Sequence, residues 1–184
     1  MPRLILMRHP PVASQGQCYG RSDPGLAPGW EPKADAAPTR LGGARRIVSS
    51  PAPRCLALAR RLAQGLGATL EVDPRLVEMH FGEWEGLQWT AIPRAAFDDW
   101  AVDPVRRAPP GGESFGALML RIRHAAQDAE DRALDEDRPC LLVSHAGPIR
   151  ALRMAREGLS FREAFDWQTP YAEPIPLPRR PAAA

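Results

Sequence analysis

The sequence predicts an α/β protein, a sheet layered between helices, and three short apolar runs carry that prediction. Residues 4–7, 47–49 and 140–143 read Leu-Ile-Leu-Met, Ile-Val-Ser and Cys-Leu-Leu-Val. Runs this short, without polar alternation, suit strands covered on both faces, as in a parallel sheet. Helical patterns follow the second and third runs, and strands alternating with helices argue for a layered sheet.

The first run lies between Arg3 and Arg8 and leads directly into Arg8 and His9. The second is followed by Ser50 as a candidate N-cap, Pro51 at the first helical position and an Ala/Leu/Arg helix to about residue 66, with Arg54 in its first turn. A weaker strand is expected at 69–72. Then come an aromatic segment over 81–100, a turn at Pro109-Pro110-Gly111-Gly112 and a long helix over about 114–134. The third run delivers Ser144-His145-Ala146-Gly147 and a helix from Pro148 to about residue 155. Residues 26–38, rich in Pro, Gly and Ala, hold at most one short helix near 30–37. From residue 174 the chain is rich in Pro, Arg and Ala and reads as a frayed tail, with any last strand cut short around 171–177.

A chain of 184 residues with 44% hydrophobic content can bury one ordinary core, so residues 1–184 are expected to form a single domain. Net charge is +2, and the Arg residues are interspersed with Asp and Glu, so nucleic acid is not an expected partner. Lys33 is the only lysine, and the Arg bias suits planar recognition of oxyanions. Cys18, Cys55 and Cys140 show no CxxC spacing, which argues against a disulfide framework or a zinc ribbon. The apolar run at 4–7 is far too short for a signal-peptide core or a membrane span. The expected setting is the cytoplasm.

Ligands of open α/β sheets bind at the carboxyl ends of the strands. Here three separate strand ends carry Arg8-His9, Ser49-Ser50 leading to Arg54, and His145. A lone His or Arg is more often structural or a surface charge, but three such ends together suit phosphoryl transfer, where the protein positions the group and neutralises its oxygens. Splitting ester hydrolysis into two displacements through a covalent phosphohistidine requires a neutral imidazole, and flanking guanidinium groups disfavour imidazolium. The leaving alkoxide then needs a proton from a nearby carboxyl group. Glu78, Glu83 and Glu85 all lie in residues 76–86, and spacing does not choose among them.

These residues together resemble the histidine phosphatase superfamily, also called phosphoglycerate mutase-like, and most of all its alpha-ribazole phosphatase branch, which serves cobalamin synthesis. The similar features are Arg8-His9, Cys18-Tyr19-Gly20-Arg21-Ser22-Asp23, Ser49-Ser50-Pro51 with Arg54, Glu78 with Phe81-Gly82 and Trp84-Glu85-Gly86, Gly111-Gly112-Glu113-Ser114, and Ser144-His145-Ala146-Gly147. The resemblance implies a three-layer sandwich whose sheet is mostly parallel, with helices on both faces. It implies His9 as nucleophile, Arg8, Arg54 and His145 as phosphate clamp, and Glu78 as proton donor. It also implies substrate contacts at Gln15, Tyr19, Gly20 and Ala146, with no metal and no organic cofactor. The expected substrate is a small phosphomonoester, alpha-ribazole 5′-phosphate first, with inorganic phosphate as product and no membrane partner. Phosphohistidine proteins, sugar phosphates, mutase chemistry and a non-catalytic relative are the alternatives. Pro10, Gln15 and Leu58 depart from residues frequent in the family, and Pro10 removes a backbone donor beside the nucleophile.

Four further sets of residues are more simply explained without function. His80 and His124 read as solvated histidines, Arg106-Arg107 as an exposed pair, and Trp84, Trp89 and Trp100 as core or lid aromatics before any substrate wall.

Overall fold

A computed structural model describes residues 3–14 and 16–179. The order of elements is β1 (Leu4–Arg8), α1 (Glu31–Ala36), β2 (Arg46–Ser49), α2 (Pro53–Leu66), β3 (Thr69–Val72), α3 (Arg94–Val102), α4 (Phe115–Asp135), β4 (Cys140–Ser144), α5 (Ala146–Glu157), α6 (Phe161–Asp166) and β5 (Ile175–Leu177), with short 3₁₀ turns between several of them. The sheet order is β3-β2-β4-β1-β5, parallel throughout except for β5, which runs antiparallel to β1. This is a three-layer α/β sandwich with a mostly parallel sheet.

The apolar runs explain the layering. Successive residues of a strand face opposite sides. Leu4 and Leu6 of β1 join Val48, Leu142 and the inner faces of α4 and α5 in one buried cluster. Ile5 and Met7 join Ile47, Leu141, Val143 and the buried side of α2 in the other. Leu58, a departure from the family pattern, is a buried member of that second cluster.

Several boundaries differ from those expected. The helix after β2 begins at Pro53, because Ala52, which precedes a proline, is held extended at φ −58°, ψ 131° and serves as N-cap. Ser50 is thereby released from capping. Helix α5 begins at Ala146, with His145 itself as N-cap. Residues 175–177 are a paired edge strand with Leu177 buried, so the frayed tail expected from 174 is corrected for them, and residues 180–184 lie outside the described residues. Helix α6 was not expected. Ser160 and Glu163 form a reciprocal capping box at its start, a signal legible as Ser-x-x-Glu. Among the described residues no helix is long and apolar enough to cross a membrane.

Candidate active site

The carboxyl ends of β2, β4 and β1 lie side by side, and each delivers a polar residue to one place. Arg8 pairs in register with Ser144, and the His9 amide continues the ladder by donating to the Ser144 carbonyl at 3.0 Å. The Ser50 amide donates to the Val143 carbonyl at 2.9 Å. His9 and His145 are thus held edge to face, ring centroids 5.2 Å apart and both buried.

His9 carries a defined tautomer. Its Nδ1 lies 2.6 Å from the Pro10 carbonyl oxygen, which can only accept, so Nδ1 bears the proton and the Nε2 lone pair is free. Proline lacks an amide hydrogen but keeps its carbonyl, so the departure at position 10 leaves this orienting bond intact. Burial lowers the basicity of His9, the Pro10 carbonyl opposes it, and Arg54 and Arg8 push it further down, to a pKa of about 3. His145 is driven well below its usual value by burial first, then by His9, Arg54 and Arg8. Its Nε2 lies 2.9 Å from the Ser50 hydroxyl, which in turn accepts from the Ala52 amide at 3.3 Å.

The two arginines are aimed by other parts of the chain. Arg54 is only 1% exposed, and it donates to the Gly20 carbonyl at 2.7 Å, the Ser22 carbonyl at 2.9 Å and the Asp23 carboxylate at 2.6 Å. Arg8 donates to the Thr169 carbonyl at 3.0 Å and stacks 3.7 Å over the centre of the Tyr171 ring. The Nε of each guanidinium is buried and has no hydrogen-bond partner among the described residues. Two unpaired buried cationic donors beside a neutral imidazole suit an oxyanion.

The three glutamates left open by spacing occupy different surroundings. Glu78 lines one cavity together with His9 and another together with His145, and it accepts from its own neighbour's amide at Met79 and from the Gly147 amide at 3.1 Å. Glu83 is exposed. Glu85 accepts from the amides of Gly20, Arg21, Ser22 and Phe81 and from the Ser22 hydroxyl. Burial alone would raise its carboxyl, yet the Ser22 hydroxyl and the three amides of residues 20–22 outweigh burial and draw it to about 2. Glu85 therefore anchors the loop that supplies carbonyls to Arg54.

Of the weaker candidates, Tyr19 lies beside His9 with ring centroids 6.4 Å apart. Gly20 has its amide on Glu85 and its carbonyl on Arg54, and a Cβ there would meet the Met79 carbonyl at 1.8 Å. Ala146 opens α5 and is buried. Gln15 lies outside the described residues. Sequence reasoning missed Arg150, Thr169 and Tyr171, which reach the site only through packing, and gave no site role to Ser50, Asp23 and Gly147, although each lies inside a quoted motif. Among the described residues no cluster of three or more His, Cys, Asp or Glu converges as a metal ligand set.

Comparison with known proteins follows the same lines. The family model for the histidine phosphatase superfamily (branch 1) matches residues 4–175. A bifunctional protein of Mycobacterium tuberculosis is 37% identical over 163 residues, 82% of this chain; the chain spans 43% of that relative's length. A solved mycobacterial glucosyl-3-phosphoglycerate phosphatase in complex with inorganic phosphate superposes with TM-score 0.75 at 31% identity, covering 89% of this chain and 83% of that one. The adenosylcobalamin/alpha-ribazole phosphatase of Salmonella typhimurium is 27% identical over 110 residues, 58% of this chain and 54% of that protein. Fold, strand-end geometry and the match over residues 4–175 agree, and the chain belongs to the histidine phosphatase superfamily.

Proposed function

We propose that the chain is a phosphomonoesterase that passes the phosphoryl group through a covalent phosphohistidine on His9, with Glu78 as general acid and then general base. The observation that carries this reading is the free Nε2 of a neutral, oriented His9 set beside two guanidinium groups with unpaired donors. Arg8, Arg54 and His145 bind the phosphoryl oxygens and offset charge as it spreads in the transition state. Nε2 attacks phosphorus, the bond to the ester oxygen breaks, and protonated Glu78 gives its proton to that oxygen. Water then attacks the phosphohistidine, carboxylate Glu78 takes the water proton, and neutral His9 and inorganic phosphate leave. The cycle uses no metal, because the arginines supply the positive charge.

The phosphate-binding groups see only the part common to all substrates. The relatives' names support a sugar-linked phosphate at least as well as alpha-ribazole 5′-phosphate, since a glucosyl-3-phosphoglycerate phosphatase is 36% identical over 83% of this chain and the alpha-ribazole relative 27% identical over 58%. All three cysteines are free and buried, which suits a reducing compartment such as the cytoplasm.

Rapid-quench trapping tests the reading. Wild-type protein mixed with an aryl phosphate is expected to yield acid-labile phosphoenzyme, and His9→Ala none, with turnover near background. Turnover by His9→Ala at the wild-type rate would overturn it.

A further inference from the structure

Arg8 and His9 line a cavity of about 370 Å³ that is otherwise lined largely by aromatic rings. Phe81, Trp89, Phe97, Trp100, Phe115 and Phe165 line it. Neighbouring rings meet at defined angles: Phe81 and Trp89 are 5.4 Å apart edge to face, Phe97 and Trp100 5.7 Å, and Phe115 and Phe165 5.2 Å. The rings from 81 to 100 belong to the stretch between β3 and α4, which is pinned by backbone bonds from Glu83 to Pro110, from Trp89 to Gly16 and between residues 86–87 and Cys18. Gly82 allows that docking, since its φ is +57° and a Cβ there would meet the Pro110 carbonyl at 2.0 Å.

This wall is not simply core. Trp84, which points inward from the same stretch, is 3% exposed, whereas Trp89 is 39% exposed in the lining of the cavity that His9 also lines. Large aromatic surface left open next to a reactive group is costly unless something covers it. Away from Arg8, His9 and Glu78, the lining side chains that carry a hydroxyl, amide or charge are Gln17, Tyr19 and Arg150 among the described residues, against six aromatic rings of Phe and Trp. Two donors belonging to lining residues, the Trp100 indole N–H and Arg150 Nε, are buried without a hydrogen-bond partner among the described residues. A polyhydroxylated sugar acid would lose most of its hydration here and recover few hydrogen bonds. An aromatic ring loses little water there and stacks against the rings of the lining.

We propose, resting on the phosphatase reading above, that this bay is the leaving-group subsite and that it selects phosphomonoesters whose alcohol carries an aromatic ring. The side chains that set this preference are Trp89 and Phe97, which line the cavity together with Arg8 and His9.

The test separates ring recognition from chemistry. Ethyl phosphate, 2-phenylethyl phosphate and 2-(1-naphthyl)ethyl phosphate have alcohols of similar basicity, so differences in kcat/KM report the ring. The ring esters are expected to exceed ethyl phosphate by about 10- to 100-fold, the range given by burying one aromatic group. Trp89→Ala and Phe97→Ala are expected to remove most of that advantage. Equal rates for the three esters, or a preference for glucose 6-phosphate or 3-phosphoglycerate over 2-phenylethyl phosphate, would overturn the assignment. Calorimetric titration with 2-phenylethylphosphonate and ethylphosphonate, which cannot be hydrolysed, gives a reading independent of turnover. Tighter binding of the ring phosphonate without hydrolysis of any ester would uphold the bay and sink the phosphatase reading. Equal binding of the two phosphonates, with ester hydrolysis intact, would do the reverse.

Discussion

At the scale of single residues, the proposed cycle gives His9 and Glu78 separate roles. His9 is oriented by one carbonyl and kept neutral by burial and two arginines, so its task is the same for every ester. In the proposed cycle Glu78 protonates the leaving group, so its task depends on how much the departing oxygen needs a proton. Glu78→Gln is therefore expected to lower kcat by about 10² to 10⁴-fold for an alkyl phosphate and much less for an aryl phosphate, whose phenoxide leaves readily. Steady-state rates on both esters check this, and an equal loss on the two would assign Glu78 a structural part. Glu85 could then not simply replace it, because its oxygens are already taken by the loop at 20–22.

At the scale of elements, the start of α5 is where fold and catalysis meet. The Gly147 amide, at a helix N-terminus, donates to Glu78, and the glycine leaves room for that carboxylate. A Cβ at position 147 would lie 2.2 Å from the Glu78 Oε1 and 3.3 Å from Leu118. Alanine favours a helix interior over glycine by up to about 1 kcal/mol, so Gly147→Ala is not expected to unfold α5. It is expected to displace Glu78 and to reduce kcat on alkyl esters by about tenfold or more, with the melting temperature within a few degrees of wild type. Unchanged kcat in a folded variant would show that catalysis does not need Glu78 where it stands.

At the scale of the whole molecule, buried neutral histidines tie stability to pH. An unfolded His binds a proton below about 6.5. Folded His9 does not do so until about 3, and His145 is shifted in the same direction. Between those values the unfolded state binds more protons, so folding stability falls as pH falls, by up to about 1.4 kcal/mol per pH unit for each histidine, and levels off above 6.5. Urea midpoints measured from pH 8 to pH 5 should be flat at the upper end and drop below pH 6.5, with a shallower slope in His9→Asn. A flat profile down to pH 5 would contradict burial of the neutral rings. Exhaustive chelation should leave turnover of an aryl phosphate unchanged; loss with EDTA and recovery with zinc or magnesium would replace the two-arginine account with a metal-assisted one.

The sequence by itself determined the layered α/β class, because runs such as residues 4–7 leave no polar face and must be covered on both sides. It also determined that His9, Arg54 and His145 follow strand ends, and the ordered motifs carried the resemblance that picked Glu78 from its neighbours. It did not determine what each residue touches. Ser50 looked like a helix cap until Ala52, constrained by Pro53, took that place and left its hydroxyl to His145. Tyr171 and Thr169 reach Arg8 across more than 160 positions of chain, and no local pattern encodes such a contact. The same holds for the rings at 81, 89, 97, 100, 115 and 165, of which the sequence reading weighed only Trp89 and Trp100, as core or lid aromatics. Only packing shows that Trp84 is covered while Trp89 stays open in the cavity that His9 also lines, since burial is a property of the assembled layers and not of residue type.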